Sequence, residues 1–255
     1  MRRRSSTPRG GVPFLPEKHI EQEAELLLAE YEERFEEIVE PPVPIDEMIE
    51  LHLQLAFEIT NLRELFGAGD IHGAIWINEG RIAVDCSLDP AANPRKLGRY
   101  RFTLAHETGH WRLHRTHYLK NTQQRELFDH EGKPSFICRS SDTQPVEWQA
   151  NTFAAYLLMP RDMVLAAWET WRGNLVPLYL NEIREWYEQD QSRNLRSELV
   201  TRAADRGGEN ALDEILMEYK IAPLADRFQV STQAMRIRLE NLKLLLPRKE
   251  RLLFG

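Results

Sequence analysis

The chain has little cysteine and no long apolar run. It contains only Cys86 and Cys138 in 255 residues, which excludes the disulfide framework of small secreted domains and favours a reducing compartment. No apolar stretch approaches the roughly 20 residues that a membrane helix needs. No apolar segment follows Met1-Arg2-Arg3-Arg4, as it would in a secretory signal. We therefore expect a cytoplasmic protein without a membrane partner.

An excess of positive charge is also lacking. The chain has 33 Lys and Arg against 40 Asp and Glu, a net charge of -7, which argues against a protein that coats nucleic acid but leaves room for a local basic patch. With 42% hydrophobic and 29% charged residues, it can bury a substantial core. One domain with an appendage and two small domains both fit this length.

A His-Glu-x-x-His motif lies in the segment from Arg101 to His110. Four residues are little more than one helical turn, so His106 and His110 project from the same face of a helix and can hold one metal ion. Glu107 points to the side of that pair, where it can act as a base toward water without being a ligand. The arrangement is typical of zinc hydrolases, although so short a pattern also occurs by accident.

A catalytic zinc site needs a third protein ligand. The metzincin pattern requires glycine at 113 and histidine at 116, and the chain has Leu113 and Thr116 there, so that interpretation fails. His114 and His117 lie off this spacing. We expect His114, one turn beyond His110, to pack or hydrogen-bond beneath the site rather than to bind the metal.

The better candidate is Glu147, in a helix whose ends are marked by Pro145 and Pro160. Proline suits the first turn of a helix and disfavours helical geometry in the residue before it. One stripe of this helix carries Glu147, Ala150, Asn151, Ala154 and Leu158. Glu147 can bind the metal while Asn151 accepts a hydrogen bond from a ligand histidine. Alternatively, Glu147 only favours the helix N-terminus and Asn151 is a surface residue; beside the His-Glu-x-x-His motif, we favour the first interpretation.

Two sequence blocks resemble the ImmA/IrrE family of metallopeptidases. They are Arg-Phe-Thr-Leu-Ala-His-Glu-x-Gly-His-Trp at 101–111 and Glu-x-x-Ala-Asn-x-Phe-Ala-Ala-x-Leu-Leu-Met-Pro at 147–160. The resemblance covers about residues 40–160, is not seen between roughly 165 and 220, and resumes at 224–231.

This resemblance implies a thermolysin-like site. Its metal ligands would be His106, His110 and Glu147, its catalytic base Glu107, and its metal zinc, with manganese and iron suited to similar ligands. Several members of the family cut a partner transcriptional repressor in bacteria, so the resemblance also implies a protein substrate, here a helix-turn-helix repressor. The target itself cannot be carried over.

The hydrophobic periodicity and turn residues outside the two blocks predict an α+β fold. The expected elements are a helix from Glu17 to Val39, a helix from Asp46 to Leu53, a strand from Leu53 to Ile59, a hairpin of Gly73 to Ile77 with Arg81 to Cys86, and a motif helix beginning at Asn93-Pro94. Together they predict a small twisted sheet packed on two active-site helices. An edge strand beside the metal would bind an extended peptide by strand addition.

The C-terminal region has helix-turn-helix spacing. A helix from Pro223 to Phe228 is followed by a turn and by Ser231, a suitable N-cap for a helix from Thr232 to Leu242. For DNA reading, the outward residues would be Thr232, Gln233 and Arg236, with positive charge added by Arg238, Lys243, Arg248, Lys249 and Arg251. Alternatively, the apolar residues simply pack this element: Leu224, Phe228, Met235, Leu239 and Leu242. Because the net charge is negative, we favour packing over DNA binding.

Four regions are expected along the chain. They are a disordered basic tail at 1–13, a metallopeptidase domain at 14–165, a helical linker or insertion at 166–220, and the helix-turn-helix-like region at 221–255.

Three functional interpretations stand at this point. The favoured one is a metal-dependent endopeptidase, and the others are a transcription regulator with a structural metal site and a module that binds a peptide without cutting it. Glu107 favours the first, because a structural site needs no base beside an open coordination position. The sequence does not identify the group that stabilises the oxyanion, for which Tyr156, Tyr118 and Arg139 are candidates. A nucleophilic role for Cys138 is not favoured.

Overall fold

The computed structural model describes residues 12–67, 70–123, 132–139, 143–189, 193–207 and 209–247. The fold is mixed α+β with a small mixed sheet, as predicted. The chain divides into two compact units, Met1–Pro160 and Arg161–Gly255. The finer division into four regions stays a prediction, and most of the tail at 1–13 lies outside the described residues. Within the described part, no helix is long and apolar enough to cross a membrane.

The first unit consists of helices around one sheet. Its helices are α1 (Glu17–Glu32), α2 (Ile45–Glu47, continued by a π-helical turn at Met48–His52), α3 (Leu62–Phe66), α4 (Leu97–Gly109, continued by a π-helical turn at His110–His114), α5 (Arg115–Gln123) and α6 (Pro145–Leu158). Its strands are β1 (Ala56–Thr60), β2 (Ile71–Trp76), β3 (Arg81–Asp85) and β4 (Phe136–Arg139).

The sheet has the strand order β1-β3-β2-β4. β1 is parallel to β3, whereas β2 is antiparallel to both β3 and β4. The predicted hairpin of β2 and β3 is confirmed, and Gly80 in its turn has φ +59°, a backbone conformation that favours glycine. The pattern of the sequence did not reveal β4, which is only four residues long.

Helix α1 is shorter than predicted. It ends at Glu32 rather than at Val39, and the backbone N–H of Ile38 donates instead to the Glu32 carboxylate at 3.0 Å. Arg112, in the π-helical turn, holds α1 in place by bonding Glu23 at 2.8 Å and Glu30 at 2.7 and 2.8 Å. Two glutamates of α1 therefore anchor the helix beside the motif.

Helix α4 lies between the sheet and α6. Its contact with α6 is close because Gly109 has no side chain: a Cβ there would lie 3.2 Å from the Ala150 Cα. The start of α4 differs from the prediction. Pro94 opens a short 3-10 turn, Pro94–Lys96, and the side chain of Asn93 caps nothing. The helix itself begins at Leu97.

The second unit is almost entirely helical. It contains α7 (Arg161–Arg172), α8 (Leu180–Gln189), α9 (Arg193–Arg206), α10 (Glu209–Lys220), α11 (Ala222–Phe228) and α12 (Thr232–Asn241), with a short parallel pair of β5 (Leu178–Tyr179) and β6 (Leu245–Leu246). Helices α11 and α12 have the predicted helix-turn-helix spacing. The turn residue Gln229 has φ +53°, and the Ser231 hydroxyl accepts from the Ala234 N–H at 3.1 Å as the N-cap.

The predicted outward orientation of Arg236 is wrong. Its side chain is buried and bonds Glu218 at 3.2 Å, Glu240 at 2.9 Å and Glu214 at 3.1 Å. Glu218 is fully buried, so a guanidinium beside it is needed to offset the desolvation of its charge. Arg238 is buried as well. The apolar packing expected for Leu224, Phe228, Met235 and Leu239 is present, whereas Lys249 and Arg251 lie outside the described residues together with Arg248.

We expect Arg236→Ala to destabilise the second unit by about 3 kcal/mol, because it leaves the carboxylate of Glu218 buried with only one remaining arginine. Gln233→Ala, an exposed position on the same helix, is the matched control and should change stability by less than about 0.5 kcal/mol. Denaturant unfolding of both variants measures the difference. Equal stability would show that the Arg236 ion pairs contribute nothing.

Candidate metal centre

Two histidines of helix α4 and its π-helical continuation face helix α6. His106 and His110 are both buried, and their Nε2 atoms lie 3.0 Å apart. A π-helical turn widens the helix at His110, a feature that is frequent at functional sites. The two rings therefore present two nitrogen atoms to one point.

Glu147 meets this pair from the first turn of α6. Pro145 begins the helix as predicted, and the Oε2 atom of Glu147 lies 3.1 Å from His106 Nε2 and 3.4 Å from His110 Nε2. Burial alone would raise the pKa of Glu147, but the adjacent rings of His106 and His110 lower it to about 2. The carboxylate is therefore ionised, as a ligand must be. These three buried groups could bind a metal ion.

Asn151 fixes the ring orientation of His106. Its Oδ1 lies 2.9 Å from His106 Nδ1. Because an amide oxygen only accepts, Nδ1 of His106 carries the hydrogen, which leaves the lone pair of Nε2 free. The structure thus places Asn151 at the outer nitrogen of His106, although much of its side chain is exposed.

His114 lies directly behind His110 and is fully buried. The Nδ1 atoms of the two rings are 2.9 Å apart, so one donates and the other accepts. Nearby, the Nε2 of Gln149 donates to the Pro13 carbonyl at 3.3 Å. Burial lowers the pKa of His114 to about 3, so the ring is neutral.

A ligand role for His110 sets the proton positions of the two rings. With the Nε2 lone pair of His110 directed at the ligand position, its hydrogen lies on Nδ1, and Nδ1 of His114 accepts it at 2.9 Å. His114 thus hydrogen-bonds beneath the site, as expected from the sequence.

We expect His114→Phe, which keeps the ring volume but cannot accept a hydrogen bond, to weaken zinc binding roughly 10- to 100-fold. His117→Phe is the matched control, because His117 lies one turn further along and outside this chain of hydrogen bonds. Competition with a chromophoric zinc chelator gives both affinities. Unchanged affinity in His114→Phe would mean that the hydrogen bond to His110 has no effect on the metal.

Glu107 lies on the other side of the histidine pair, against strand β2. It is fully buried, and neither carboxylate oxygen has a hydrogen-bond partner among the described residues. Burial raises the pKa of Glu107 well above its ordinary value, and the negative charge of Glu147 raises it further. An unpartnered buried carboxylate is unfavourable for folding, so a group with this environment is suited to a ligand or a transferred proton.

Gly73 provides the room for this carboxylate. A Cβ at Gly73 would lie 2.6 Å from the Oε1 of Glu107 and 2.6 Å from the Cγ2 of Thr103. Glycine is therefore required at this strand position by close approach rather than by backbone geometry.

We expect Gly73→Ala to destabilise the protein by about 1–3 kcal/mol through overpacking and to move the Glu107 carboxylate. Activity should fall further than zinc content, because the methyl group contacts Glu107 and not the three candidate ligands. Thermal unfolding, elemental analysis and hydrolysis rates separate these effects. An alanine variant with wild-type activity would show that Glu107 has more room than the structure indicates.

Phe136 of β4 contacts the candidate metal centre from the side of the sheet. Its ring stacks on His110 with centroids 4.3 Å apart and an interplanar angle of 8°. The sequence pattern gave no indication of this residue, since it lies in a strand that was not predicted.

Of the three oxyanion candidates, Tyr156 is turned away and donates its hydroxyl hydrogen to Glu17. Tyr118 packs near Phe136 at 5.8 Å between ring centroids, and Arg139 ends β4 as an exposed residue.

A family comparison agrees with this arrangement. Residues 92–188 match the family model of peptidase family M78, described as an IrrE N-terminal-like domain. Over these residues the chain is similar to the ImmA/IrrE family. The matched region of this IrrE-like domain includes both α4 and α6. It begins at residue 92 rather than near residue 40, and it extends to residue 188, into the stretch after about residue 165 where the sequence showed no resemblance. No match is found among curated proteins. The family supports a metallopeptidase-type function.

Proposed function

We propose that the IrrE-like domain is a zinc-dependent endopeptidase whose metal ligands are His106, His110 and Glu147 and whose base is Glu107. The observation that carries this proposal is the convergence of three buried ligand atoms next to a buried carboxylate without a partner. Two neutral imidazoles and one carboxylate suit zinc best, and they leave one coordination position open, as in catalytic zinc sites. Manganese and iron are the alternatives.

The reaction follows from the roles of these side chains. His106, His110 and Glu147 would hold the zinc, which would polarise water and the scissile carbonyl and stabilise developing negative charge. Glu107 takes the proton of the attacking water on a carboxylate oxygen and then gives it to the leaving nitrogen. A carboxyl group whose pKa is raised by burial is suited to hold that proton between the two transfers. Asn151 and His114 keep the ligand rings oriented throughout.

The proposed substrate is a protein strand bound along β4. This strand is at one edge of the sheet, and its Phe136 touches His110. An extended peptide added to that edge lies beside the candidate metal centre. By its resemblance to repressor-cutting relatives, we propose a cytoplasmic bacterial helix-turn-helix repressor as the substrate.

Co-expression tests this substrate class. Candidate repressors encoded near this gene are produced together with the wild-type protein or with Glu107→Gln, and the products are analysed by mass spectrometry. We expect one repressor to be cut at a defined bond by the wild type and to remain intact in complex with Glu107→Gln. Equal loss of repressor with both proteins would contradict metal-assisted proteolysis and favour the peptide-binding alternative.

A transcription regulator remains the second candidate, because α11 and α12 keep helix-turn-helix spacing. The burial of Arg236 and Arg238 removes the two arginines of α12 from any outward face, which weakens this alternative. Salt-dependent, sequence-selective binding to an operator duplex, lost in Gln233→Ala, would support it. We expect no such binding.

A further inference from the structure

Cys138 lies next to the candidate metal centre. It pairs with Gly73 across β2 and β4, and paired residues on neighbouring strands point to the same face of a sheet. That face is toward Glu107, which a Cβ at Gly73 would touch. The Sγ of Cys138, a nitrogen of His106 and an oxygen of Glu107 all lie within 4.8 Å of one another.

His106 belongs both to this group and to the three candidate ligands. Its Nδ1 is engaged by Asn151, so an ion bound to His106 is held by Nε2. That atom is the one that faces His110 and Glu147. A thiolate ligand lies about 2.3 Å from zinc, and the Sγ of Cys138 lies within 4.8 Å of a His106 nitrogen. Through His106, Cys138 is therefore a neighbour of the candidate metal centre.

A second observation indicates that the position between Cys138, His106 and Glu107 is suited to a ligand. Glu107 is fully buried beside Cys138, and neither of its oxygens has a hydrogen-bond partner among the described residues. Such a carboxylate is unfavourable without a positive charge or a donor nearby. The thiol and the unpartnered carboxylate thus border one position next to His106, and Cys138 is partly exposed and can be reached from solvent.

We propose that the thiolate of Cys138 is an alternative fourth ligand of the metal, which closes the site until substrate displaces it. On ligation the S–H bond breaks, the proton passes to solvent, and a sulfur–metal bond forms. A site with four protein ligands has no open position, so Cys138 determines what fraction of the molecules can accept substrate. This proposal rests on the metal site proposed above.

Alkylation of the two cysteines tests the proposal in one molecule. The full-length protein is treated with iodoacetamide with and without stoichiometric zinc, and each cysteine is followed by peptide mapping. We expect zinc to slow the reaction of Cys138 about tenfold or more, because the reactive thiolate is held by the metal. Cys86 is exposed and serves as the internal control, whose rate should not change.

Cobalt substitution distinguishes ligation from simple shielding. Cobalt-loaded wild type should show a thiolate-to-cobalt charge-transfer band in the near ultraviolet. Cys138→Ser should lose the band and keep the metal, while Cys86→Ser should keep both. Protection of Cys138 without the band would overturn the proposal, because the metal would then shield the sulfur without binding it.

The remaining outcomes separate the two proposals. Stoichiometric metal binding with an unprotected Cys138 overturns the thiolate ligand but leaves the metal centre standing. Failure of the wild type to bind zinc or cobalt overturns the metal centre and the thiolate ligand together.

Discussion

Glu107→Gln will lower the rate of peptide hydrolysis about a hundredfold to ten-thousandfold and leave the metal content unchanged. The amide keeps the shape of the side chain but cannot carry a proton from the attacking water to the leaving nitrogen. The three candidate ligands do not include Glu107, so elemental analysis should still find one zinc per chain. Steady-state rates on a cleaved protein substrate measure the loss, and Glu50→Gln, an exposed position, is the matched control.

The same substitution makes a prediction about stability that does not depend on activity. In chelator-treated protein, Glu107→Gln should be more stable than the wild type at neutral pH, because it removes a buried carboxyl group that resists ionisation. The pKa of Glu107 is raised in the folded state, so as the pH rises above the ordinary value of 4.5 the group ionises more readily in the unfolded chain, which favours unfolding. The two proteins should unfold with similar free energies below that pH and diverge above it.

Two results would contradict this role of Glu107. A variant that loses its zinc would identify Glu107 as a ligand rather than a base. A variant that retains wild-type activity would assign the proton transfer to another group.

Glu147→Ala will remove most of the bound metal and, with it, the activity. The substitution is made in Cys138→Ser protein, so that the thiol cannot replace the carboxylate, and the two histidines that remain are too few ligands for tight zinc binding, since catalytic sites use three. Zinc should stabilise the wild type, by about 2.7 kcal/mol at a free concentration one hundred times the dissociation constant. It should leave the unfolding temperature of Glu147→Ala unchanged.

Thr152→Ala is the matched control, because Thr152 lies on the same helix but away from the stripe of Glu147. It should bind zinc and respond to it like the wild type. Stoichiometric zinc in Glu147→Ala would show that a different residue is the third ligand.

Local patterns were sufficient to predict the parts of the site that lie on helices. The spacing of His106 and His110 follows from the helical repeat, and Pro145 and Pro160 mark the ends of α6 because proline restricts backbone geometry locally. Given those two helices, the family resemblance was enough to bring Glu147 to the histidines. The helix-turn-helix spacing was predictable for the same reason, since the N-cap Ser231 acts on its own helix.

Only the tertiary structure decided what surrounds these groups. Strand β4 is short, and it pairs with β2, which is distant in sequence. No local repeat therefore predicts that Phe136 or Cys138 lies near the site. The close contact between Gly73 and Glu107 likewise joins distant segments. Arg236 has the spacing of an outward residue, but it turns inward because the buried carboxylate of Glu218 needs a cation. The sequence by itself determined which residues could bind a metal; long-range packing decided what lies beside them, because burial and pairing depend on the whole chain.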